Sequence, residues 1–212
     1  MDYCVSAEER KILRELAKKQ LDFANQEKNK KRIKEWYLHN DLKGDRPMVH
    51  LELWTFQQEV IEPQLKCRSP FARMLEVMLF QNFSNQENFD DDRVTPDYFG
   101  MNYDTEFRLF DIRIGQKHAM DEDNHESLGH HFIQQIGDLE DDYQKLKKTY
   151  FSVDLESTRA KMEAASEIFG DILPVRMKMD CLYSVPTQMV VHFMDMEQML
   201  FNMMDYPELF LQ

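Results

Sequence analysis

Ile168-Phe169-Gly170-Asp171-Ile172-Leu173-Pro174-Val175-Arg176-Met177-Lys178-Met179-Asp180 reads as the end of a helix, a turn and an alternating strand. Leu173, Val175, Met177 and Met179 fall on one side of that strand, and Pro174, Arg176, Lys178 and Asp180 on the other, as a period of two requires. Upstream, Leu155, Met162, Ala165 and Phe169 share a helical face behind Asp154 as the N-cap, and Gly170 stands where a C-terminal cap belongs. Downstream, the apolar run from Thr187 to Met204 predicts one long helix after Pro186. Helix, strand and helix in this order predict parallel strands joined by right-handed crossovers, an α/β fold.

Toward the N-terminus, Ser6 followed by Glu9 is a capping-box pattern, with Leu13, Ala17, Leu21 and Ala24 on one face of the helix it starts. A second helix carrying Ile33, Trp36 and Tyr37 ends near Asn40 and is expected to dock by that apolar stripe. Arg46 to Leu53 is the best strand of the first half, with Pro47 tolerable at its start. Ser69-Pro70 then opens a helix in which Phe71, Met74, Leu75, Met78 and Leu79 repeat at three and four. Between Asn82 and Gly137 the pattern weakens, as an insertion would make it. Val94–Phe99 and Phe107–Ile114 suit strands, the stretch between Gly115 and Gly129 reads as loop, and Asp138–Leu146 reads as a short acidic helix.

The formal charge of -13 argues against a general nucleic-acid binder or an anionic membrane surface, since both need clustered Lys and Arg. Cys4, Cys67 and Cys181 lack CxxC spacing, so neither a disulfide framework nor a zinc ribbon is predicted, and a cytoplasmic location fits. No signal peptide and no apolar run of about 18 residues is present. With no internal repeat and no linker, one continuous domain is expected. The last residues, Asp205-Tyr206-Pro207-Glu208-Leu209-Phe210, open a helix that Leu211 and Gln212 leave unfinished.

Several of these stretches resemble the uroporphyrinogen decarboxylase-like superfamily of (β/α)8 TIM barrels, which includes cobamide-dependent methyltransferases. The similarity is carried by Glu35-Trp36 with His39-Asn40-Asp41-Leu42-Lys43, by Arg46-Pro47-Met48-Val49 with Glu52, and by Glu140-Asp141 with Lys145-Leu146. Asp154 with Thr158, Ile168 to Val175, and Met199-Leu200 with Asp205, Pro207, Glu208 and Leu209 carry the rest. The resemblance implies a partial (β/α)8 barrel, its N-terminal half over residues 46–212, behind an N-terminal helical extension over residues 1–45. A whole barrel takes about 250 residues, so a truncated, split or fragmentary barrel is expected from 212.

Inward strand positions line the pocket of such a barrel. His50 and Glu52 share one side of the expected first strand, and Arg176, Lys178 and Asp180 one side of the later one. Glu52, at a position that is acidic in the similar proteins, and Asp180 are expected proton acceptors or orienting carboxylates. Arg176 is an expected anion anchor and His131 a substrate hydrogen-bonding group, with Lys178, His50 and His130 as further substrate contacts. The alternative is that these charges face solvent. His130 and His131, being adjacent on a strand, face opposite ways and are not expected to bind one metal. Relatives that transfer methyl groups hold zinc through a His-x-Cys pattern in their C-terminal half; this chain has none, so corrinoid and zinc belong to a complete member. Decarboxylase relatives carry arginines where this chain has Leu53-Trp54-Thr55-Phe56, which argues against porphyrinogen decarboxylation. Met194, Met196, Met199, Met203 and Met204 are read as core filling. The functional expectation is a half-barrel of a corrinoid-linked enzyme, with a corrinoid protein or a complementary half as partner. The alternative is a non-catalytic half-barrel that associates with itself.

Overall fold

The computed structural model describes residues 3–120, 127–179 and 186–212. Helices α1 (Ala7–Asn25), α2 (Glu27–Asn40), α3 (Gln57–Val60) and α4 (Pro70–Asn88) lead to strands β1 (Phe99–Asn102), β2 (Asp104–Arg108), β3 (Gln116–Met120) and β4 (Ser127–Phe132). Then follow α5 (Leu139–Asp142), β5 (Tyr150–Asp154), α6 (Leu155–Phe169), β6 (Val175–Lys178), α7 (Pro186–Met194), α8 (Met196–Asp205) and α9 (Pro207–Phe210). The fold is α/β. Among the described residues the strands form three two-stranded sheets and no closed barrel. The residues group into two compact units, Met1–Tyr103 with Leu155–Met179, and Asp104–Asp154 with Asp180–Gln212. No described helix is long and apolar enough to cross a membrane.

In the first unit, β1 and β6 pair in parallel, with Phe99 opposite Val175 and Asn102 opposite Lys178. Helix α6 feeds β6, so the helix–strand order expected around Gly170 is present, and residues 104–154 of the second unit lie in sequence between β1 and α6. Gly170 does not adopt a left-handed conformation. It is needed for close approach, because a Cβ there would meet the Ser166 carbonyl oxygen at 2.6 Å. Leu13 and Ala17 of α1, Phe71, Leu75 and Leu79 of α4, and Ile168 and Phe169 of α6 close over Phe99 and Met101 to form the core. Phe99 and Phe169 meet edge to face at 5.1 Å, the geometry that ring quadrupoles favour.

The capping box at Ser6 and Glu9 forms as the sequence predicts, and it reaches further than the helix end. One Glu9 oxygen accepts the Ser6 N–H and hydroxyl, while the other accepts the Arg68 and Ser69 N–H groups, both at 2.8 Å. The same buried carboxylate thus holds the N-terminus of α1 and the chain entering α4. Glu76, fully buried, does similar service for the Lys66 and Cys67 N–H groups.

Several local expectations need correction. Arg46 to Leu53 is not a strand, because the Val49 and Leu51 N–H groups donate to the Asp92 and Asp91 carboxylates and are unavailable to a ladder. Helix α2 docks through Asn29 and Arg32 rather than through Ile33, Trp36 and Tyr37. Asn29 bonds the carbonyls of Ala24 and Thr95, and Arg32 pairs with Asp90. The polar stretch after Gly115 forms an antiparallel pair, β3 with β4. Phe107 to Ile114 is broken by a turn in which Phe110 and Asp111 take positive φ, so the strand stops at Arg108. The apolar stretch after Pro186 is two helices, split at Asp195 (φ 74°), whose carboxylate caps Glu197.

In the second unit, Ile136, Leu139, Phe193, Met194 and Met199 form the core. Buried Asn202 fastens α8 to the turn before α5, accepting from the Leu139 N–H at 3.0 Å and donating to the Gly137 carbonyl at 2.8 Å. Met194 and Met199 fill this core, but Met196, Met203 and Met204 are exposed. The core-filling reading therefore holds for only part of the methionine run.

Glu9 is held at about 2 from its usual 4.5, chiefly by the Ser69 N–H and then by those of Ser6 and Arg68. A carboxyl depressed in the fold contributes stability that is complete above about 4.5 and is lost as the pH falls toward about 2. Glu9→Gln is expected to lose about 1–3 kcal/mol at neutral pH and to flatten the acid dependence across that window in urea denaturation. Parallel acid profiles for variant and parent would contradict this.

Candidate functional site

The carboxylates that strap residues 46–51 also shape a groove. Asp92 accepts the Val49 N–H at 2.8 Å and takes the Arg46 guanidinium through both oxygens, at 2.8 and 2.7 Å. Arg46 also reaches Glu35 on α2 at 3.0 Å. This fork, with the Val49 bond behind it, holds Asp92 at about 2. Asp91 accepts from the Leu51 N–H, the Asn85 amide and the Arg93 N–H. The strapped segment consequently runs beside α2 with the Val49 and Leu51 N–H and carbonyl groups all bonded.

Between them lies a groove of about 510 Å³, walled by Ile33, Trp36 and Tyr37 of α2 and by His50, Arg93 and Val94. Trp36 is fixed: its indole N–H donates to the Asp92 carbonyl at 2.6 Å, and its ring stands edge-on to His39 at 5.6 Å. Tyr37 is 71% exposed. The Arg93 guanidinium is half-buried, and burial lowers its pKa, with Asp91 opposing that shift. Its side chain makes one long hydrogen bond, 3.3 Å to the Asn85 side-chain oxygen.

Of the residues expected from sequence, His50 lines this groove, and Glu52 is exposed just ahead of the 3-10 turn Leu53–Phe56. Arg176 and Lys178 do share a face of β6. They converge on the Tyr98 ring, with the Arg176 guanidinium 4.6 Å and the Lys178 ammonium 5.9 Å from its centre. Gly100, opposite Arg176, leaves room for the Lys178 stem, since a Cβ there would meet its Cδ at 2.4 Å. Both cations are exposed. Asp180 lies outside the described residues.

His130 and His131 belong to the second unit and point to opposite faces of β4, as their adjacency requires. His130 is in register with His118, and His131 with Lys117. On the His130 face, Phe132 meets His130 edge to face at 5.0 Å and stacks on His192 at 3.9 Å. Among the described residues no group of three or more His, Cys, Asp or Glu is arranged to hold a metal ion. A second cavity in this unit, about 470 Å³, is lined by Arg108, Arg113 and Lys145. These cations are committed: Arg108 to Asp111 and Glu106, Lys145 to Asp142, and Arg113 near Glu106.

Cys67 is buried beside Glu76, and burial together with that carboxylate pushes its thiol up to about 12. Such a thiol holds little thiolate, the reactive form, at neutral pH. Sequence reasoning missed Arg93, Tyr98 and the groove-facing role of Trp36 and Tyr37. The available signal was an adjacent aromatic pair inside a helix rich in charged residues. No family model, no curated protein and no solved structure matches the chain.

Because Arg176 and Lys178 are exposed and their charged ends make no salt bridge among the described residues, replacing either with Ala should change stability by less than about 1 kcal/mol. Urea denaturation of the single variants measures this. A loss of several kcal/mol would mean that they hold the fold rather than await a ligand.

Proposed function

We propose that the chain is the N-terminal half of a uroporphyrinogen decarboxylase-like (β/α)8 barrel serving corrinoid-linked methyl transfer, its chemistry completed by a second half. The observation that carries this reading is the parallel β1–β6 pair with α6 leading into β6. It is the strand–helix–strand unit that such barrels repeat, and the stretch Ile168 to Val175, which bears much of the resemblance, runs through it. Arg176 and Lys178 side by side on β6 suit the binding of an anionic substrate. Glu52, His131 and Asp180 are proposed as its proton-handling or orienting groups, with His50 and His130 as further contacts. A complementary half would bring the zinc. Porphyrinogen decarboxylation is the less favoured chemistry, since the arginines it uses are missing from Leu53 to Phe56.

Titration with methylcobalamin, followed by visible absorbance, tests the reading. Saturable binding is expected, weakened about 10-fold or more when Arg176 and Lys178 are both replaced by Ala, the loss of charge-assisted hydrogen bonds. No saturable binding, or binding indifferent to both replacements, would contradict it.

A second reading, a non-catalytic half that associates with its own copy, is favoured by one specific feature. Helix α8 exposes Met196, Leu200, Phe201, Met203 and Met204 together, more apolar side chain on one short helix than a solvated helix ordinarily shows. On this reading, sedimentation velocity finds a concentration-dependent dimer that Phe201→Glu dissociates. A monomer at all concentrations would rule it out.

A further inference from the structure

We propose that the groove between α2 and the strapped segment, with Arg93 at its base and Trp36 and Tyr37 as its walls, binds a small aromatic carboxylate. The proposal does not rest on the barrel reading, since His50 is the one residue that both use.

The argument begins with what the carboxylates of this region already do. Asp90 is taken by Lys28 and Arg32, Asp92 by Arg46 and the Val49 N–H, and Glu35 by Arg46 and Lys31. Asp91 is spent on the Leu51 and Arg93 N–H groups and the Asn85 amide. Among the described residues this leaves the Arg93 guanidinium without an ion pair, although it is half-buried and its one side-chain partner is a neutral amide oxygen. Its remaining N–H donors are not buried, so an anion entering the groove can reach them and replace water there. A carboxylate matches the guanidinium fork.

The walls select the rest of the ligand. Ile33 and Tyr37 are exposed on a face that the sequence pattern would bury, and the Trp36 ring is held in place by its own hydrogen bond. Fixed aromatic surface beside an unpaired cation favours a flat ring bearing the negative charge. His50, exposed at the rim, offers a further donor. The charge of the ligand is constrained as well. Asp91 and Asp92 stand directly behind Arg93 in the chain, so a phosphate of charge about -1.5 to -2 would meet more repulsion than a singly charged carboxylate.

The test uses the full chain and 2-naphthoate as probe, with 2-naphthamide and 2-naphthyl phosphate as comparators, all by titration calorimetry. Saturable 2-naphthoate binding is expected, with the amide and the phosphate each weaker by about 10-fold, the scale of one charge-assisted hydrogen-bond pair. Arg93→Gln should remove the preference for the carboxylate over the amide. Tyr37→Ala, at a position whose exposure leaves the fold indifferent to it, should weaken 2-naphthoate by about 5-fold through lost ring contact. Absence of saturable binding, equal binding of the amide, or tighter binding of the phosphate would overturn the proposal. So would unchanged 2-naphthoate affinity in Arg93→Gln and Tyr37→Ala variants whose circular dichroism matches that of the parent.

Discussion

The first unit depends on two adjacent carboxylates, Asp91 and Asp92, that accept backbone N–H groups from a segment that would otherwise pair as a strand. The Val49 and Leu51 N–H groups go to these side chains, the Asp92 N–H goes to the Val49 carbonyl, and the Asn85 amide goes to the Leu51 carbonyl. Every one of these bonds joins a peptide group to the end of α4 or the turn that follows it. A carboxylate that accepts N–H bonds while paired with a guanidinium is a strong acceptor. The competing alternative, a sheet ladder at Arg46 to Leu53, would have to displace it and take from buried Asp91 and Asp92 the Leu51 and Val49 donors.

The consequences spread from there. With the segment strapped beside α2, that helix is anchored by polar bonds of Asn29, Arg32, Glu35 and the Trp36 indole N–H, and Trp36 and Tyr37 line an open groove. The Asp90, Asp92 and Glu35 carboxylates are paired with other cations in making this arrangement, and Arg93, which feels Asp91 at longer range, makes no salt bridge among the described residues. A rule broken locally, with aromatic residues exposed and polar ones buried, is what a binding surface requires. On β6, Arg176 and Lys178 present a second cationic surface, and Tyr98 rather than a carboxylate supports them. The cations of the second unit's cavity contrast with both sites, for they are neutralised by Asp111, Glu106 and Asp142.

Where local chemistry and burial agree, the sequence was legible. The Ser6–Glu9 capping box and the Phe71, Leu75 and Leu79 face of α4 belong to helices that meet one core, while the alternation through Val175 to Lys178 shows in the shared face of Arg176 and Lys178, although Met177 opposite them is exposed. The opposed faces of His130 and His131 followed from strand geometry alone. What could not be read was long-range hydrogen bonding. Nothing in Arg46-Pro47-Met48-Val49-His50-Leu51 shows that Asp91 and Asp92, some forty positions away, take its donors. Nor does the pattern of α2 show that Asn29 rather than Ile33 meets the core. The break at Asp195 was hidden for another reason: the apolar composition runs through it, while a carboxylate that caps Glu197 quietly restarts the helix. Of the site, the cationic pair on β6 was visible as alternation, whereas Arg93 stands out by having no salt bridge among the described residues, which only the surrounding bonds reveal.

Amide hydrogen exchange at Val49 and Leu51 tests this account most directly, with Asp91→Asn and Asp92→Asn as the perturbations. The account predicts that both amides are protected in the parent chain. Each should lose protection when its own carboxylate is neutralised, Val49 with Asp92 and Leu51 with Asp91, while the amides of α1 and α4 keep theirs. Protection that survives both replacements would show these amides to be held in a ladder, and would contradict the strap on which the groove depends.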